Sequence, residues 1–290
     1  MQAAIQTTIT LLKLRIGMAI ALSALAGMAV ADGSIPASKA LIFALAVLGA
    51  SGAAGGFNHY YERDSDRLMR RTRSRPFASG ALKPGWIWPL TFLALLGASL
   101  FMAWSVSGTL AAALVFFGAF TYGIVYTVWL KRRNAWNVVI GGLAGSFAIM
   151  AGAVAVDPTL FQPVPIILAT VMFLWTPPHF WSLAAARGKD YIEAGVPMLP
   201  VVEPEKVWTA AILSHAVTLA ILSMVPVFYG MGMMYAVCAA LGGGLFAWRS
   251  WQLYRAPGPA MAMTNFRASL IQFCLLATGV FLDKVSTWFV

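Results

Sequence analysis

Three acids and six arginines fall within the eighteen residues from Asn58 to Arg75, in a chain of which only 10% is charged. Asn58, Glu62 and Asp66 are spaced by four, so a helix continued through them stacks all three on one face. Acids gathered at a helix end and followed at once by arginines make a poor core. They make a good seat for a divalent cation that holds a phosphate. Oxygen-ligand sites for Mg²⁺ combine one or two carboxylates with substrate phosphates, and Arg grips phosphate through parallel N–H bonds. The plainer alternative is a solvated helix end on which the row pairs with Arg63, Arg67 and Arg70. Asp64 points off the row, where pairing with a nearby Arg competes with a metal role.

A second polar stretch reads Pro177-Pro178-His179-Phe180-Trp181, then Arg187-Gly188-Lys189-Asp190-Tyr191-Ile192-Glu193. Two acidic helix ends brought face to face could hold cations about one diphosphate, the usual way to neutralise such a leaving group.

These residues need elements to carry them, and the composition says which. With 60% apolar residues and a mean hydropathy of +0.78, the chain lies far from a soluble domain. Apolar runs near ~20 residues recur, each long enough to cross a bilayer as a helix. The reading is an all-α polytopic membrane protein, one domain over residues 1–290. Nine spans are expected: Ile16–Val30, Ser38–Asn58, Trp86–Val106, Gly108–Trp129, Asn137–Val156, Pro163–Ala186, Val207–Tyr229, Met231–Trp251 and Ala268–Trp288. The first ends in Ala29-Val30-Ala31-Asp32, which resembles a cleavage site; an uncleaved span is expected. The two polar stretches follow the second and sixth spans, a spacing that suggests a pseudo-repeat.

With the N-terminus cytoplasmic, eighteen of the twenty Lys and Arg are cytoplasmic, leaving Lys39 and Lys284 outside. That bias orients the protein, and it accounts for the net charge of +10 without nucleic acid. Seven of the ten acids fall on the same side, which the orientation rule does not require. Cys238 and Cys274 lie inside spans with no metal or redox spacing. Tryptophans such as Trp86, Trp129, Trp208 and Trp288 sit near span ends as an interfacial belt. His215, inside the seventh span, is expected to hydrogen-bond a neighbouring helix, and His59 to support the acid row.

The motifs together carry a resemblance. Asn58-x-x-x-Glu62-x-x-x-Asp66 resembles the first acidic motif of the UbiA superfamily of intramembrane prenyltransferases. Met69-x-Arg71-Thr72-x-x-Arg75-Pro76, Tyr126-Thr127-x-x-Leu130-Lys131-Arg132, Pro178-His179-Phe180-Trp181 and Asp190-Tyr191-x-x-Ala194-Gly195-Val196-Pro197 are similar to its heme-farnesylating branch. Glu62 stands where the superfamily usually has Asp, Leu14 replaces a proline, and Ser146–Ala153 departs from the branch's proline pair and Gly-Trp.

The resemblance implies a UbiA-like bundle with its active site facing the cytoplasm, in a cell (inner) membrane. It implies Mg²⁺ on Asn58, Glu62, Asp66 and Asp190, and a diphosphate on Arg73, Arg75, Lys131 and Lys189. His179 and Tyr191 would lie on the acceptor side, and Phe57, Tyr122, Tyr126 and Trp175 would shield an allylic cation. Farnesyl diphosphate and heme b are the implied substrates, with membrane lipid around the chain. A heme-modifying enzyme or an oxidase assembly factor is the implied partner. An aromatic acceptor, such as a hydroxybenzoate, quinone or chlorophyll precursor, is the rival enzyme reading. A transporter is the non-enzymatic one, although its polar residues should then lie at mid-membrane.

Overall fold

A computed structural model of the protein describes residues 2–286, and the surroundings of side chains from 5 to 284. The regular elements among these residues are all helical, as a bilayer demands where no water can satisfy an open backbone. They begin with α1 (Gln2–Leu11), α2 (Leu14–Val30), α3 (Ala37–Tyr61), α4 (Arg63–Leu68) and α5 (Ile87–Phe120), which continues as a π-helix over Thr121–Leu130. Then come α6 (Asn137–Gly141), α7 (Leu143–Val156), α8 (Pro163–Ala186), α9 (Gly188–Glu193) and α10 (Leu199–Val202). The chain ends with α11 (Glu205–Leu222), a 3₁₀ turn (Val225–Tyr229), α12 (Met233–Arg255) and α13 (Pro259–Ser286).

Six helical stretches are long and apolar enough to cross a bilayer, or seven if α1 and α2, bent by 57°, form one. The chain is therefore an integral membrane protein. The span boundaries differ from the sequence reading. The third and fourth expected spans lie in one stretch of 44 residues, Ile87–Leu130. It is broken at Gly108, whose φ of 78° and ψ of −178° are not helical and suit a residue without Cβ. The eighth expected span matches α12, which is not among the six, because Arg249, Gln252 and Arg255 dilute its apolar sequence. The last helix starts at Pro259 rather than Ala268, and Trp288 lies outside the described residues.

The helices close into two rings of four. In the first, α2 and α5 each pack on α3 and α7; in the second, α8 and α12 each pack on α11 and α13. Contacts of α7 with α8 and of α2 with α13 join the rings. The seam between α2 and α7 is backbone against backbone. A Cβ on Gly152 would lie 1.8 Å from the Ala24 carbonyl oxygen, and one on Gly27 would lie 2.0 Å from that of Ile149. Small residues allow helices to approach this closely in membranes. The unusual Ser146–Ala153 segment is that seam, and Ser146 Oγ adds a 2.7 Å bond to the Ala169 carbonyl of α8.

Candidate active site

The acid row survives a break in its helix. Glu62 ends α3 with φ −90° and ψ 4°, yet its N–H bonds the Asn58 carbonyl at 2.9 Å and the Asp66 N–H bonds the Glu62 carbonyl at 2.8 Å. This i to i−4 continuity keeps Asn58, Glu62 and Asp66 on one face, and each is only 1% exposed. The loop that follows is pinned by Phe77, which is buried edge-on between Tyr60 and Trp88, 5.4 and 5.3 Å away. Thr72 Oγ1 donates to the Asp66 carbonyl at 3.0 Å. So held, Arg75 places Nη1 at 2.9 and 2.8 Å from the two Asp66 oxygens.

Charges from three directions converge on the row. Lys131 Nζ donates to Glu62 Oε2, and Asn58 Nδ2 donates to the same oxygen and to Thr127 Oγ1, both at 3.0 Å. Lys13 Nζ donates to Asn58 Oδ1 and, at 2.8 Å, to the Tyr122 hydroxyl. Burial pushes the Glu62 carboxyl up, but the charge and hydrogen bond of Lys131, with Lys13 and Arg75, outweigh it and hold it below the usual carboxylate range. Three cations thus face two carboxylates in a buried cluster, an excess that favours an anionic ligand.

Lys131 reaches Glu62 because its helix is not an α-helix. Nine positions separate Tyr122 from Lys131, about two and a half turns of α-helix, which would set them on opposite faces. The π-helical turns, with Lys131 N–H bonded to the Tyr126 carbonyl at 2.9 Å, bring Tyr122, Thr127 and Lys131 to one side. Tyr122 and Tyr126 stack at 5.8 Å, with Lys13 over the first ring at 5.4 Å and Lys131 over the second at 5.9 Å. π-Helical segments occur often at functional sites.

The second polar stretch meets the first through Tyr191. Its phenol is within hydrogen-bond reach of Arg71; burial pushes that phenol up, against the lowering by Arg71 and Arg75. Met69 and Tyr191 share one buried cluster with Trp181 and Val138. Asp190 is buried, and its Oδ2 has no hydrogen-bond partner; Glu62 Oε1 is in the same state. Lys189 and Arg73 are exposed.

Two prolines place the histidine of this stretch. Pro177 and Pro178 lie inside α8 and lack an N–H, so they interrupt its hydrogen-bond ladder. Ser182 Oγ donates to the Pro178 carbonyl at 2.6 Å. His179 stacks on Trp175 at 4.2 Å and bonds Ser269 Oγ through Nδ1 at 2.7 Å.

Other expectations change. Asp64 is exposed and pairs with Arg63 and Arg67 at 3.9 and 3.6 Å, whereas the row pairs with Lys131 and Arg75 rather than with Arg63, Arg67 or Arg70. His215 bonds the Ala211 carbonyl of its own helix at 2.8 Å, not a neighbour, because a ring four residues on lies over that carbonyl. No three His, Cys, Asp or Glu side chains converge to enclose a cation among the described residues, since Glu62 and Asp66 turn onto Lys131 and Arg75. Sequence reasoning had not placed Lys13 and Arg71 at the site. A signal for Lys13 is its left-handed backbone, φ 48°, found at no other non-glycine among the described residues; such strain gathers at functional sites.

The UbiA prenyltransferase family model matches residues 20–274. The chain belongs to that family. Protoheme IX farnesyltransferase 2 of Paramagnetospirillum magneticum is 52% identical over 98% of this chain and 99% of its own length. Among solved structures, a digeranylgeranylglyceryl phosphate synthase superposes with a TM-score of 0.80 at 18% identity, covering 97% of this chain and 99% of that one. A UbiA homologue from Archaeoglobus fulgidus bound to GPP and Mg²⁺ gives 0.72 at 16% identity, covering 96% and 99%. The family fold expected from the motifs is thus borne out.

Proposed function

We infer that this chain is a protoheme IX farnesyltransferase: it transfers the farnesyl group of farnesyl diphosphate to a vinyl group of heme b, with addition of water. The observation that carries the transferase chemistry is the buried row Asn58–Glu62–Asp66, clasped by Lys13, Lys131 and Arg75 beside Asp190. The heme acceptor is supported by the relative that matches the whole chain at 52% identity.

The residues present fit a magnesium ion. Glu62 Oε1 and Asp190 Oδ2 are buried carboxylate oxygens without donors, and buried acceptors of this kind call for a partner. Asn58, Glu62, Asp66 and Asp190 would hold Mg²⁺, which when bound neutralises charge growing on the departing diphosphate. With few protein carboxylates in reach, the remaining ligands would be phosphate oxygens and water. Arg73, Arg75, Lys131 and Lys189 bind the diphosphate. Arg75 and Lys131 start from carboxylate partners, so they are ordered before substrate arrives and cost little reorganisation.

Ionisation breaks the allylic C–O bond, and the diphosphate leaves with the electron pair. The faces of Phe57, Tyr122, Tyr126 and Trp175 shield the allylic cation. The vinyl π pair forms the new C–C bond, water adds to the resulting cation, and its proton passes to solvent or diphosphate. The polar residues gather at one end of the bundle, which we place at the cytoplasmic face of the inner membrane. Gly108 and the length of α12 support nine passes.

Cells lacking their own heme O synthase, with and without this chain, test the reading by mass spectrometry of extracted heme. A hydroxyethylfarnesyl heme only with the chain is expected. Prenylated 4-hydroxybenzoate from purified protein, with no heme product, would move the assignment to the aromatic-acceptor enzymes.

A further inference from the structure

The protonation of His179 can be read from its neighbours. Ser269 has one hydroxyl proton, and Oγ donates it to the Phe266 carbonyl at 2.6 Å. The same Oγ lies 2.7 Å from His179 Nδ1, so toward the imidazole it accepts, and Nδ1 carries the hydrogen. Only Nε2 then offers a lone pair, and Nε2 makes no hydrogen bond among the described residues.

The ring around that lone pair cannot turn freely. Trp175 stacks on one face at 4.2 Å, Phe266 lies tilted 4.5 Å away, and Phe180 meets it edge-on at 5.1 Å. Trp175 is itself fixed, with Nε1 donating to the Ser269 carbonyl at 2.9 Å. An imidazole whose Nδ1–H is held by an oxygen while Nε2 stays open is the arrangement that supports a metal ligand. The aromatic walls suit a flat, apolar macrocycle.

We propose that His179 Nε2 is an axial ligand to the iron of the acceptor heme, with Ser269 as the positioning residue that fixes its tautomer. This rests on the heme-acceptor reading and adds what holds the acceptor in place. The bond would tether the porphyrin at its centre and leave its vinyl edge free to meet the prenyl cation.

The test uses the full chain in lipid nanodiscs, titrated with heme b and with metal-free protoporphyrin IX in the absence of farnesyl diphosphate. Wild type should bind heme b at least ~10-fold tighter than the metal-free porphyrin, with absorption and EPR spectra of a histidine-ligated iron. His179→Gly should lose both the preference and the spectrum, and added imidazole should restore the spectrum. Ser269→Ala should keep ligation but weaken it about 10- to 100-fold. An unchanged heme spectrum in His179→Gly overturns the proposal. Should that variant misfold, wild type carrying isotope-labelled histidine decides: no histidine-nitrogen coupling to the iron in pulsed EPR also overturns it. Farnesyl transfer by wild type in the same nanodiscs separates the two readings. Product without histidine ligation removes this inference alone, and absence of product removes the transferase assignment.

Discussion

Lys131→Met is the sharpest test of how the site is built. Glu62 is 1% exposed and its Lys131 partner 15%, so removing the cation leaves a buried carboxylate with only the Asn58 amide against it. Breaking a buried pair from one side costs about 3–5 kcal/mol. The sign with pH follows from Glu62. In wild type its pKa is held below the usual value, so its contribution is present above the unfolded carboxylate pKa and is lost as pH falls through the folded one. In Lys131→Met the unopposed effect is burial, which raises the pKa, so the variant is penalised most at neutral pH and recovers as acid protonates Glu62. Melting in detergent, followed by tryptophan fluorescence from pH 4 to 8, should show a drop on the order of 10 °C at neutral pH that narrows toward pH 4. The double variant Lys131→Met/Glu62→Gln should regain most of the stability, since both members of the pair are then neutral. It should not regain turnover. If Lys131→Met melts like wild type at pH 7, or if the double variant is no more stable than the single, Lys131 does not compensate Glu62.

Asp66→Asn keeps the shape but removes the charge facing Arg75; it should abolish farnesyl transfer while the melting temperature moves by less than that of Lys131→Met. Normal turnover there would remove Asp66 from the site. Gly152→Leu drives a side chain into the Ala24 carbonyl and should separate α2 from α7, read as loss of folded protein on size-exclusion chromatography; a well-folded variant would contradict the seam. Chelation by EDTA should stop diphosphate release and added Mg²⁺ restore it, and activity surviving chelation would argue against metal-assisted departure. Lys83→Ala, exposed and remote from the row, should leave turnover within about twofold, and a dead variant would mean that the site extends further along this loop.

The spacing of Asn58, Glu62 and Asp66, the burial of apolar runs and the Arg75–Pro76 and Pro178–Trp181 motifs were legible in the chain itself. They carried the helical class, the family and the metal-and-phosphate chemistry, because helical periodicity and charge are local properties of residue order. The sequence could not show which cation answers which acid. Lys13 and Lys131 lie 45 and 69 positions from their partners, and a pairing over that distance depends on how two helices meet. Nor did residue order reveal the π-helical turns that swing Lys131 toward Glu62, the glycine seam that unites α2 with α7, or the Ser269 hydroxyl that sets the His179 tautomer. Each is a contact between elements remote in the chain, and only tertiary packing decides such contacts.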